Sequence, residues 1–135
     1  LEDLGVSPDR AIIDHSTEET TKSILDRGFW AGHTVYPQTK LTPDRFANIY
    51  NEFGIERVLL NTSADWGKSD PLLLQQSIAY LERRGADRST LQKLVWDNPI
   101  SFFGADRLNI PEDGEAFDPV AANQTHSSLR GGFDK

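Results

Sequence analysis

Two residues of this chain have the types and placement to share a metal ion. His15 follows the apolar run Ala11-Ile12-Ile13, and Asp65 lies just beyond Val58-Leu59-Leu60. A neutral imidazole and a carboxylate are ordinary ligands of a divalent cation such as zinc, manganese or magnesium. Such an ion lowers the pKa of bound water toward neutrality, and a nearby carboxylate can accept the proton as hydroxide attacks. Asp65 is thus a candidate ligand and a candidate catalytic base, and His15 a candidate ligand. The plainer alternative stays open from spacing alone: His15 bonds a loop carbonyl and Asp65 caps a turn.

Other polar residues cluster after the same apolar runs. His33-Thr34-Val35-Tyr36, with Lys40 beyond, follow Phe29-Trp30-Ala31. His33 either contacts substrate or is a satisfied polar group at a strand end. Lys40 suits a phosphate or carboxylate, or is a surface lysine. Trp66 and Tyr36 can stack on a base or ring, or simply cover the mouth of the site. Asp14 adjoins His15, but neighbouring strand residues point to opposite faces, so the two are not expected to face inward together. Glu18 and Glu19 suggest acid–base chemistry, yet Glu19 sits three residues after Ser16, as the second half of a capping box. Asp70, just before Pro71, reads as a helix cap.

The elements that must position these groups alternate. Each apolar run is short and continuous, as expected for a strand buried on both faces of a parallel sheet. Helix signals follow each. Ser16 and Glu19 open one helix running toward Gly28. Thr42-Pro43 opens another, with Phe46, Ile49, Tyr50 and Phe53 on one face before Gly54. Asp70-Pro71 starts a third, ending near Gly85, and Ser89 with Gln92 starts a further one. Asn98-Pro99 opens a last turn near Gly104. Strand–helix units in series imply parallel strands with right-handed crossovers, whose reactive groups gather at the carboxyl ends of the strands. Gly28 and Gly32 flank a strand in this reading, and no glycine fingerprint of the dinucleotide or P-loop kind is present. Residues 1–9 read as the tail of a preceding helix and its turn. The expected domain is residues 1–104, and 105–135 an extended or poorly ordered acidic tail.

Composition narrows the function classes. The chain has 135 residues, no cysteine and a formal net charge of −7. Without cysteine, disulfide scaffolds, zinc–thiolate sites and thiol catalysis are excluded; the composition fits a reducing, cytoplasmic setting. The acidic balance argues against a strong duplex-DNA clamp, though not against a site in which a bound cation supplies the positive charge. No apolar run approaches the ~20 residues of a membrane helix, and no signal-peptide pattern opens the chain. The first residue is Leu and there is no Met. Three parallel strands cannot close a barrel and leave edges unpaired. Both points lead to the expectation that this is a piece of a longer protein.

Three blocks carry a resemblance. Ile13-Asp14-His15-Ser16-Thr17-Glu18-Glu19-Thr20, Gly28 to Pro37 with Lys40, and Asn61 to Pro71 are similar, in order and spacing, to blocks of the TatD-related metal-dependent hydrolases of the amidohydrolase superfamily. They most resemble the TatD-like proteins of bacterial secondary-metabolite clusters. The resemblance spans roughly residues 1–104. It implies an α/β fold, the C-terminal part of a (β/α)₈ barrel, with strands six to eight in this chain and the N-terminal half missing. It also implies that His15 ends strand six as a metal ligand, and that Asp65 ends strand eight as ligand and proton acceptor. The other ligands would be a His-x-His pair, a carboxylate and a histidine on earlier strands. Thr62-Ser63-Ala64-Asp65-Trp66 departs from the Glu-Thr-Asp-like run of the DNase-type members. The implied function is hydrolysis of a small-molecule or nucleotide-type substrate by metal-activated water, on a phosphodiester or on a C–N or ester bond. The candidate substrate contacts, from the residues themselves, are His33, Lys40 and Trp66. A barrel that has lost catalysis and serves binding or pathway assembly is the alternative. The 135-residue piece alone is expected to have little activity.

Overall fold

The computed structural model describes residues 2–63 and 70–104. Asp65, Trp66 and the expected tail, 105–135, lie outside the described residues. Two 3₁₀ turns, Glu2–Leu4 and Pro8–Arg10, stand where the end of a helix was expected. They lead into β1 (Ile12–Ile13), α1 (Glu18–Asp26), β2 (Trp30–Val35), α2 (Pro43–Phe53), β3 (Val58–Thr62) and α3 (Leu73–Arg83). The chain continues through α4 (Arg88–Gln92), a π-helical turn (Lys93–Asp97) and α5 (Asn98–Phe103).

The strands form one open parallel sheet in the order β1-β2-β3. Ile12 pairs with Trp30, Ala31 with Val58, and Thr34 with Asn61. Every residue of β2 is buried, as its continuous apolar run implied. Alternation then gives the two faces different work. Val35, Val58 and Leu60 pack with Phe46, Ala47, Leu73, Leu81 and Leu94 under the helices. Gly32, Thr34 and Asn61 fall on the other face. Gly32 therefore lies inside β2 and does not flank it.

Helix starts differ from the sequence reading by small, explicable amounts. The Ser16–Glu19 box does not form. Ser16 is buried, its amide donates to the Gly32 carbonyl at 2.8 Å and its hydroxyl to the Ile13 carbonyl at 2.7 Å. These bonds tie Ser16 to the sheet, so α1 starts one residue later, with the Thr17 amide donating to Thr20 Oγ1 at 2.9 Å. The Ser89–Gln92 box is likewise replaced: Asp87 caps α4, accepting the Thr90 amide at 2.9 Å. A carboxylate at a helix start answers orphan amides and the helix dipole together. Thr42 caps α2 and Pro43 is its first residue, as expected. Asp70, expected as a cap, instead lies before the cap position: α3 starts at Leu73 with Leu72 as its N-cap, and the Asp70 carboxylate accepts the Leu72 amide at 2.9 Å and the Gln76 side-chain amide at 2.8 Å. Among the described residues no helix is long and apolar enough to cross a membrane.

Candidate functional site

At the carboxyl end of the sheet, three strands deliver polar side chains to one place. Asp14 and His15 follow β1, Thr34 stands near the end of β2, and Asn61 stands opposite it in β3. Asp14 Oδ1 accepts from Asn61 Nδ2 at 3.1 Å and from Thr34 Oγ1 at 3.4 Å. His15 Nδ1 lies 2.7 Å from Thr34 Oγ1 and 3.6 Å from Asp14 Oδ2. Partial burial pushes the Asp14 carboxyl up. The bonds from Asn61, the His15 amide and Thr34, with the nearby imidazole, outweigh this and hold it below the usual carboxylate range.

This overturns the expectation that Asp14 and His15 face opposite ways. Strand alternation stops at Ile13, and His15 takes the left-handed conformation, φ 57°. For a residue with a Cβ that conformation costs about 1–2 kcal/mol. It returns the imidazole to the side on which Asp14 already lies. Such strain persists where the surrounding structure fixes it, commonly at functional sites.

Lys40 reaches the same end of the sheet. Its Nζ donates to Ser63 Oγ at 3.1 Å, just past the end of β3. Tyr36 is buried, and its hydroxyl has no hydrogen-bond partner among the described residues. An unsatisfied buried hydroxyl is destabilising. Tyr36→Phe is therefore expected to leave stability unchanged or raise it by about 1 kcal/mol. Thermal unfolding checks this: a marked fall in Tm would mean the hydroxyl has a structural partner.

His33 is placed elsewhere. It faces the helices, fully buried, with Nε2 2.9 Å from Thr21 Oγ1 and its ring edge-on to Phe46. Strand alternation puts His33 on the opposite face from Thr34. Burial pushes its pKa down to about 4. Nor do the acidic residues of α1 join the site. Glu18 grips Arg45 of α2 with two bonds, at 2.9 and 2.7 Å, and this guanidinium holds its carboxyl below the usual range.

The sequence reading missed Thr34 and Asn61 as partners of Asp14. Their polarity at apolar-strand positions was a signal, but their register is a tertiary fact. A cavity of about 500 Å³ opens at the opposite end of the sheet, beside Trp30, Lys93 and Asn98. Three of its polar side chains are engaged: Trp30 Nε1 donates to the Asp9 carbonyl, Lys93 pairs with Glu56, and Asn98 donates to the carbonyls of Ile55 and Val58.

The donor chemistry at the carboxyl end suits a divalent cation, with an imidazole more than half exposed beside a carboxylate. Among the described residues, no three His, Asp or Glu side chains are grouped to hold one. No family model matches the chain. An uncharacterized metal-dependent hydrolase of Methanocaldococcus jannaschii is 29% identical over 105 residues, covering 76% of this chain. The matched part amounts to 40% of that relative's length.

Proposed function

We propose that this chain supplies strands six to eight of a (β/α)₈ barrel in a TatD-like, divalent-metal-dependent hydrolase. The observation that carries this reading is the meeting of Asp14, His15, Thr34 and Asn61 at the carboxyl ends of three parallel strands. That is the end at which α/β barrels place their chemistry. Likeness to a protein named as a metal-dependent hydrolase supports it.

In this proposal His15 and Asp65 are two of the ligands to a zinc, manganese or magnesium ion. The ion would supply a water acidic enough to be activated near neutral pH. Asp65 would serve as the acceptor for a proton of that water. Lys40, steadied by Ser63, holds an anionic oxygen of the substrate. Trp66, the next residue in the sequence, is the candidate for stacking on a substrate ring. The substrate is a small or nucleotide-type molecule, and a phosphodiester is the first bond to assay.

The test uses the full-length protein: metal content, and hydrolysis of bis(p-nitrophenyl) phosphate. His15→Ala and Asp65→Asn are each expected to lower turnover by about 10²-fold, the scale of losing one electrostatic contact to developing charge. Both should also reduce metal content, and a chelator should abolish turnover in the wild type. A metal-free wild type without hydrolase activity would sink the proposal and favour a binding or pathway-assembly role.

A further inference from the structure

A cation bound at His15 needs an imidazole that offers a bare nitrogen in a fixed direction. We propose that Asp14 is the positioning residue of this site: acting through Thr34, it keeps the proton of His15 on Nδ1 and leaves the Nε2 lone pair for a divalent cation. The cation part rests on the function proposed above; the proton part rests on hydrogen-bond geometry.

An ionised carboxylate only accepts. Asp14 Oδ1 takes the single hydroxyl proton of Thr34, at 3.4 Å. The Thr34 oxygen can then only accept from His15 Nδ1, 2.7 Å away, so that nitrogen carries the proton. A neutral imidazole has one N–H, so Nε2 is bare. Asp14 Oδ2, 3.6 Å from Nδ1, favours the same arrangement through its charge.

The surroundings are shaped around this carboxylate. A Cβ at Gly32 would stand 2.5 Å from Asp14 Oδ1 and 3.2 Å from its Cα, so β2 admits Asp14 only where it has no side chain. Asn61 holds Oδ1 from a strand not adjacent to β1. Carboxylates and other acceptors that hold the second N–H of a ligating histidine in this manner typically contribute about 10–100-fold to metal affinity.

Two measurements on the full-length protein test the proposal. The first is the ¹⁵N imidazole spectrum of metal-free protein above pH 7, with the His15 signals assigned by their loss in His15→Ala. Wild type should show His15 protonated at Nδ1. Asp14→Ala and Thr34→Val should move the proton toward Nε2, and Thr34→Ser should restore the wild-type pattern. The second is zinc affinity by chelator competition, which should fall about 10–100-fold in Asp14→Ala and Thr34→Val and return in Thr34→Ser. A wild-type His15 protonated at Nε2, or a tautomer unchanged by Asp14→Ala, overturns the assignment. So does a changed tautomer with unchanged zinc affinity. Wild-type protein that binds no zinc but shows the Nδ1 proton retires the metal reading and still supports the hold of Asp14 on the ring. A folding defect in Asp14→Ala does not confound the outcome, because the Thr34 pair reads the same relay with the carboxylate in place.

Discussion

Phe46→Ala is expected to destabilise the fold by about 3–5 kcal/mol, the range for truncating a buried aromatic ring. Phe46 is fully buried on α2 and packs in one cluster with Val35, Val58 and Leu60 of the sheet. It therefore joins the helix layer to both long strands, and the void left by its ring is bounded by backbone that is already paired. Its ring also meets His33 edge-on, with centroids 5.4 Å apart. The measurement is a urea titration in which the midpoint falls and the slope holds. A loss below about 1 kcal/mol would place the ring outside the core.

Acidification between pH 6.5 and about 4 is expected to cost the fold about 3 kcal/mol through His33 alone. The Thr21 hydroxyl gives its proton to the Thr17 carbonyl at 2.6 Å, so it can only accept from His33 Nε2. Nδ1 is then bare, buried and without a partner among the described residues. Burial opposes a charge here and lowers the pKa from 6.5 to about 4. Between those values the unfolded chain binds a proton that the folded chain refuses. Stability from this group is complete above pH 6.5 and is lost as the pH falls toward 4. Glu18 and Asp14, whose pKa values are lowered, lose their contributions as the pH falls below their ordinary values of 4.5 and 3.8, so the loss from Glu18 begins at the acid end of the His33 window. Unfolding free energies measured across pH 4–7.5 in wild type and His33→Gln check the assignment: the variant should lose the slope, and an unchanged slope would refute it. The two effects are coupled. Opening a void at Phe46 should admit water to the imidazole, raise its pKa toward 6.5 and flatten the acid response.

Much of the scaffold was legible because its causes are local. Continuous apolar runs at Phe29-Trp30-Ala31 and Val58-Leu59-Leu60 marked strands buried on both faces, and Thr42-Pro43 marked the start of α2. Capping was harder. Ser16 and Ser89 had the right partners at the right spacing, but Ser16 was claimed by the sheet and Asp87 stood closer to the first amides of α4. Local patterns rank the contenders for a cap; competing tertiary bonds select one.

The candidate site divides the same way. By itself the sequence determined an α/β alternation of strands and helices, and it put polar groups, His15 among them, just after the first apolar run. Residue type and hydrophobic period act over a few neighbours, so one chain suffices to read them. Only the tertiary structure decided that Asp14 and His15 share a face, that Thr34 and Asn61 complete their hydrogen bonds, and that His33 turns away to Thr21 and Phe46. Those outcomes depend on strand register and on one left-handed residue, and both are set by contacts between segments far apart in the chain.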